Sequence, residues 1–235
     1  MPVTPDFPAL AAAGLDLQAV FDLAALPDDL AAPLLEAAGG AGAWRQLILL
    51  GHGGRTLWQR VQAAGLDSPH PIDDYSRAVF VAWMAAELPE ATYRLLYPGD
   101  APIGLQRLGA LAGWHHPSPL AVGINERWGT WFAYRLAALA DTALVPTPPA
   151  AWASPCLACD GRPCIAACPA GALDGGILAL APCLAYRRRG DSPCRETCLA
   201  RTACPAGAGH RYEAAQLRHT YRRSLAMIEG GDISG

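Results

Sequence analysis

The sequence predicts a mixed α/β (α+β) fold in two parts, a helix-and-strand region followed by a small cysteine-built module. Three observations carry this. Short apolar runs alternate with helical patterns through the first 149 residues. Pro146, Pro148 and Pro149 then break the chain as a linker. All eight cysteines follow that linker, between Cys156 and Cys204. The expected organisation is a helical segment over 1–44, an α/β domain over 45–149 and the cysteine module with a C-terminal helix over 150–229.

Taken in order, Ala- and Leu-rich stretches around 16–25 and 28–38 read as short helices, the second ended by Gly39-Gly40. Arg45–Leu50 reads as a buried strand, Gly51–Gly54 as a turn, and Arg55–Ala64 as a helix with Leu57 and Val61 four apart. Ala78–Trp83 fits a strand or a buried helical turn, and periodicity does not choose between them. Leu105–Trp114 reads as a helix and Leu120–Ile124 as a short strand. Trp128, Trp131, Phe132, Leu136 and Leu139 fall at helical spacing, yet Thr130–Tyr134 also suits a strand. A helix is expected near Glu213–Ile228, and a disordered tail over Gly230–Gly235.

The chain of 235 residues has a formal net charge of −3, with arginine as every basic residue of its eighteen. That balance gives no global field for nucleic acid. The first residues carry no basic n-region, and Asp6 and Asp16 interrupt them, so no secretory signal is read there. No apolar run reaches the roughly 18–20 residues that span a bilayer. The expected location is the cytoplasm, where thiols stay reduced and clustered cysteines bind metal or do redox chemistry.

The cysteines fall into two groups. The first reads Cys156-x2-Cys159-x4-Cys164-x3-Cys168-Pro, and the second Cys183-x10-Cys194-x3-Cys198-x5-Cys204-Pro. Each group closes on the same pentapeptide, Cys-Pro-Ala-Gly-Ala. Two sets of four thiolates suit two 4Fe-4S clusters, three ligands wrapping one cluster while the Cys-Pro cysteine reaches the other. Crosswise, Cys156, Cys159, Cys164 and Cys204 hold one cluster, and Cys183, Cys194, Cys198 and Cys168 hold the second. Proline after the ligand fixes φ and removes a donor, which suits a sharp exit from the loop. The spacings are wider than in the usual ferredoxin run, as with four residues between Cys159 and Cys164. Two zinc sites and a disulfide framework are the alternatives; only one Cys-x-x-Cys knuckle is present, where zinc ribbons pair two.

Residues 156–204 resemble the C-terminal cluster domain of epoxyqueuosine reductases and, more distantly, of respiratory reductive dehalogenases. The order of four cysteines ending in Cys-Pro, a lone cysteine in a Cys-x-x-Tyr context (Cys183-Leu-Ala-Tyr186) and three more ending in Cys-Pro carries the likeness. Upstream, Val122–Arg135 resembles a segment of the cobalamin-processing family of methylmalonic aciduria and homocystinuria type C. Ile124, Arg127, Gly129, Trp131, Phe132, Ala133 and Arg135 agree with that pattern, and Asn125-Glu126 replaces its His-Pro. These resemblances imply a flavin-reductase-like N-terminal domain followed by a ferredoxin-like two-cluster domain. They imply a bound cobalamin or, less strongly, a flavin, with Arg127, Trp128, Gly129, Trp131, Phe132 and Tyr134 as candidate contacts. A flat ring needs apolar walls and a few polar groups, although such an aromatic stripe more often forms core.

The function so implied is an oxidoreductase fed by an external electron donor, which passes electrons from the clusters to cobalamin for its reduction or processing. A non-catalytic ferredoxin-type carrier that docks a partner is the second reading. An RNA-modifying reductase, using Arg187–Arg189 on tRNA, is the third, with the acidic net charge against it. Blander expectations attach to Gly51-His-Gly-Gly54 as a strand–helix turn and to His115 and His116 as solvent-exposed polar residues.

Overall fold

In the computed structural model of the chain, residues 7–40 and 42–230 are described. In order they form α1 (Phe7–Ala12), β1 (Leu17–Asp22), α2 (Asp28–Ala37), β2 (Gln46–Gly53), α3 (Thr56–Ala64), α4 (Pro71–Glu87), β3 (Tyr93–Tyr97), α5 (Leu105–Leu111) and β4 (Phe132–Ala140). The remainder is α6 (Pro163–Ala166), α7 (Leu180–Arg188), α8 (Leu199–Ala203) and α9 (Ala214–Gly230). Two compact units result. Unit 1 is the chain up to Trp114 with Phe132–Ala151, and unit 2 is His115–Trp131 with the chain from Trp152 onward. Residues 115–131, expected in the α/β domain, thus group with the cysteines.

Unit 1 is an α+β fold on a four-stranded antiparallel sheet in the order β1-β2-β4-β3. Every residue of β2 is buried, as a continuous apolar run from Leu47 to Leu50 demands of a central strand. Segment 17–22 is a strand, not the expected helix. Ala19 pairs with Leu49 and Val20 with Ile48, and this tertiary pairing with a Val-Phe pair outweighs local helix propensity. Segment 78–83 is helical within α4, whose Ser76, Phe80, Trp83 and Met84 are buried, the three-to-four spacing of one helix face. Phe80 meets Tyr93 edge-on at 5.3 Å between ring centroids. Leu10, Val20, Ile48, Leu50, Phe80 and Leu136 belong to the same core.

α2 ends at Gly39 and Gly40 as expected, with φ of 92° and 105° that suit glycine. After β2, Gly54 (φ 67°) turns the chain into α3, so Gly51–Gly54 is strand and turn. The expected tail over 230–235 lies outside the described residues beyond Gly230.

Unit 2 is made of short helices and turns, with α9 as its one long helix among the described residues. The expected strand over 120–124 is instead a turn. Ser118 Oγ donates to the Val122 carbonyl at 2.7 Å and accepts from the Leu120 N–H at 3.2 Å. Ile124 pairs only through a single bridge to His116.

Candidate metal centres

The Cys-Pro-Ala-Gly repeat is matched by a second repeat that the cysteine count conceals. Ser154-Pro155-Cys156 and Ser192-Pro193-Cys194 each open a 3-10 turn. In each, the serine Oγ accepts from the N–H of the cysteine two residues on, at 3.3 Å for Cys156 and 3.2 Å for Cys194. Proline sits at the first position of the turn, where its missing N–H costs nothing. Gly171 and Gly207, three residues after Cys168 and Cys204, both take left-handed φ, 60° and 65°. The two halves therefore match in the local geometry of Cys156 and Cys194 and of the turns after Cys168 and Cys204. Sequence reading caught the closing repeat and missed the opening one, although Ser-Pro-Cys occurs twice in the chain.

The eight cysteines converge as two sets of four. Cys156, Cys159, Cys164 and Cys204 line one cavity of about 40 Å³, with Arg162 on its wall. Cys168, Cys183, Cys194 and Cys198 line another of about 270 Å³, walled by Leu178, Leu184, Arg187, Arg201 and Tyr221 among others. The electrostatics fall into the same sets. Burial pushes the Cys204 thiol up, and its charge interacts with Cys164, Cys156 and Cys159. Burial likewise pushes Cys183 up, with Cys198, Cys168 and Cys194 adding to it and Arg187 opposing. Cys156, Cys164 and Cys194 are raised for the same primary reason. Within each set the raised thiols oppose one another's ionisation, an opposition that a cation shared among them would relieve. All eight are free of disulfides. Among the described residues, no group of three or more His, Cys, Asp or Glu side chains meets the geometry of a single ion. An iron–sulfur cube, by contrast, spreads its ligands over its corners.

The Asn125–Trp131 segment packs as a turn inside unit 2. Asn125 Oδ1 accepts from the N–H groups of Arg127 (2.8 Å) and Trp128 (3.0 Å). Asn125 and Gly129 exchange backbone bonds at 2.7 and 3.0 Å. A side-chain amide that holds a turn explains asparagine here. Trp131 is fully buried, edge-on to Tyr212 at 5.4 Å and under the Arg201 guanidinium at 4.4 Å. Trp128 is buried against His210, with Arg127 over its ring at 4.9 Å. Phe132 and Tyr134 belong to unit 1, where Tyr134 stacks on Trp114 at 5.8 Å; burial holds the Tyr134 hydroxyl far above its usual range. The six candidate cofactor contacts are thus divided between the units, and Arg127 is the exposed one among them apart from half-buried Tyr134.

Other polar residues are committed within their own units. His116 is half-buried rather than exposed: its Nε2 lies 2.8 Å from the Trp152 carbonyl, and its ring is edge-on to Trp152. His115 is also half-buried, lying where a side chain on Gly123 would stand. Arg187 bonds the carbonyls of Cys194 and Tyr221 and the Ser224 hydroxyl. Arg188 bonds the Ile228 carbonyl, and Arg189 the Asp191 carboxylate. The Arg187–Arg189 run therefore ties α7 to α9 and to its own loop.

No family model matches the sequence, and no curated protein matches it. Solved structures do. An epoxyqueuosine reductase in complex with a tRNA stem loop is similar at TM-score 0.55 and 12% identity, over 90% of this chain and 66% of that one. The epoxyqueuosine reductase of Bacillus subtilis is similar at TM-score 0.54 and 12% identity, over 88% and 66%. A reductive dehalogenase described in terms of B12-dependent dehalogenation is similar at 0.52 and 13%, over 92% and 33%. The chain therefore spans about two thirds of the epoxyqueuosine reductases and one third of the dehalogenase. At these identities what is shared is the fold; these neighbours are epoxyqueuosine reductases and a reductive dehalogenase, the latter described as B12-dependent.

Proposed function

We propose that the chain is an iron–sulfur oxidoreductase that holds two 4Fe-4S clusters and passes their electrons to a bound cobalamin. The observation that carries this is the convergence of the eight cysteines on two cavities as sets of four. One set is Cys156, Cys159, Cys164 and Cys204, the other Cys168, Cys183, Cys194 and Cys198. Buried and half-buried thiols that oppose one another's ionisation fit a cationic cluster, and the fold shared with solved reductases supports a redox role. When bound, such clusters supply one-electron transfer at low potential.

The chain's own residues set the conditions. Ser154 and Ser192 fix the turns that aim Cys156 and Cys194. Leu178, Leu184 and Ala200 give the larger cavity an apolar wall. Cobalamin rests on the Ile124–Arg135 resemblance and on the B12-dependent neighbour; flavin is the lesser choice. In this reading unit 1 is flavin-reductase-like, unit 2 ferredoxin-like, and Arg127 the group that meets a cofactor's polar edge.

Anaerobic reconstitution followed by iron and sulfide analysis tests the first half, with about eight iron atoms per chain expected. Zinc in their place sinks the proposal. Titration with cobalamin and with flavin tests the second half: a spectral shift is expected with cobalamin. No shift with either leaves a two-cluster electron carrier. The RNA-modifying reading has one observation in its favour, the neighbour in complex with a tRNA stem loop. It requires salt-sensitive tRNA stem-loop binding by the purified chain.

A further inference from the structure

The wall of the larger cavity carries a cation fixed from several sides. Arg201 lies with its guanidinium 4.4 Å from the Trp131 ring centroid and 5.0 Å from that of Tyr212. Its Nη2 donates to the Thr130 carbonyl. Its backbone N–H donates to Cys198 Sγ at 3.4 Å. Tyr221, on the same wall, interacts with both Arg201 and Cys198. Arg187 stands beside it on this wall, its Nε on the Cys194 carbonyl at 3.1 Å and its guanidinium 5.2 Å from the Tyr221 ring centroid. At the smaller cavity the arginine on the wall is Arg162, which is exposed. Arg211 there reaches the Cys204 carbonyl at 3.3 Å, as Arg187 reaches that of Cys194. What the smaller cavity lacks, among the described residues, is a counterpart of Arg201.

We propose that Arg201, assisted by Arg187, holds a cluster bound by Cys168, Cys183, Cys194 and Cys198 at a higher reduction potential than one bound by Cys156, Cys159, Cys164 and Cys204. This rests on the two-cluster reading above. Reduction adds one electron and one negative charge to a cluster, with no bond made or broken and no proton required. A guanidinium stays protonated at any relevant pH, and a half-buried charge is weakly screened. It therefore stabilises the reduced form; backbone N–H groups meet ligand sulfurs at both sets, as Ile165 does Cys164 and Ala206 does Cys204, so the difference lies in the half-buried cations. An electron from an external low-potential donor then settles first on the Cys198 side. Arg201 acts as a tuning residue: it holds no iron, and its partners lie within unit 2.

The test is a dithionite titration of the reconstituted full chain, followed by electron paramagnetic resonance. Two components with separate midpoints are expected. Cys156→Ser identifies the component of the smaller set. Arg201→Gln is expected to keep about eight iron atoms and to move only the other component. At that component's wild-type midpoint, its reduced-to-oxidised ratio should fall about tenfold, which is about 59 mV for a one-electron couple. Arg201→Lys, which keeps the charge, should stay close to the wild-type midpoint. Should Arg201→Gln fail to hold iron, Arg187→Gln reads the same component, with a shift in the same direction. An unmoved component, a shift in the Cys156 component, or a Lys variant shifted as far as Gln overturns the inference with the clusters intact. Wild-type protein with fewer than two clusters overturns it together with the reading beneath it.

Discussion

Gly129 and Gly207 face each other backbone to backbone. A Cβ on Gly207 would lie 2.5 Å from Gly129 N, and one on Gly129 would lie 2.5 Å from the Ala206 carbonyl carbon. Both have left-handed φ, 57° and 65°. The turn after Cys204 is thereby keyed into the Asn125–Trp131 turn, and this key groups residues 115–131 with the cysteines. Gly207→Ala is expected to cost about 2–5 kcal/mol from left-handed strain plus backbone overlap. Gly176 also has positive φ (80°), but a methyl group added there would meet nothing within 4 Å, so Gly176→Ala should cost only about 1–2 kcal/mol. Urea denaturation of the two variants against wild type reads the difference.

The crosswise grouping makes a prediction that a linear grouping does not. If Cys204 serves the Cys156 set, Cys204→Ser and Cys156→Ser remove the same half of the iron, and the double variant loses no more than either. Cys204→Ser combined with Cys183→Ser should instead lose nearly all of it. Iron per chain, measured on anaerobically purified variants, decides. Equal loss in Cys204→Ser with Cys156→Ser and with Cys183→Ser would refute the grouping.

The order of the cysteines was readable because ligand spacing is a local property of the chain. So were α2, β2 and α3, whose apolar period and glycine stops need no partner to be seen. β1 was not, because what makes 17–22 a strand is pairing with β2, 24–34 residues onward. The Trp128–Phe132 stripe fitted helix and strand alike for a related reason: its aromatics are split between a turn in unit 2 and a strand in unit 1. Asn125 departs from the cobalamin-processing pattern as the residue that holds that turn. Arg201 left no sequence signal, since its position between Trp131 and Tyr212 exists only once the turns have packed.

Within unit 1, Arg135 Nε donates to His52 Nδ1 at 2.9 Å, which assigns the proton of a neutral ring to Nε2. Arg135 Nη1 also lies 3.7 Å from Asp73 Oδ1. His52 is buried, so Arg135→Met removes a donor from a buried acceptor. The expected loss is about 1–3 kcal/mol in the unfolding of unit 1, with iron content unchanged. A drop in iron alongside the stability loss would contradict a role confined to unit 1.

The paired serines predict a graded effect. Ser154 and Ser192 cap their turns in the same way, but Ser192 is buried and Ser154 half-buried. Ser192→Ala leaves the Cys194 N–H without its acceptor in a drier place. It should cost about 1–2 kcal/mol, and Ser154→Ala about 0.5–1 kcal/mol. Each should slow reconstitution of its own set, seen as a lag in one paramagnetic component. Equal effects on both components would mean that the serines stabilise unit 2 as a whole rather than aim a particular ligand.

On the two-cluster proposal, removal of iron should affect the two units differently. Unit 1 holds a continuous apolar core that runs through α1, β1, β2, α3, α4 and β4. The cluster of Leu120, Leu173 and Ala200 beneath the cysteines is small, and Cys168 and Cys198 are among the residues packed against it. Within residues 155–204 Leu173 is the one large aliphatic side chain that is fully buried among the described residues; with clusters bound as proposed, metal binding energy is then folding energy for this stretch. Chelation under reducing conditions should therefore strip hydrogen-exchange protection from residues 155–204, while the amides of β2 and β4 remain protected. Loss of protection in β2 at the same rate would show that the clusters, rather than the apolar core, hold unit 1 together.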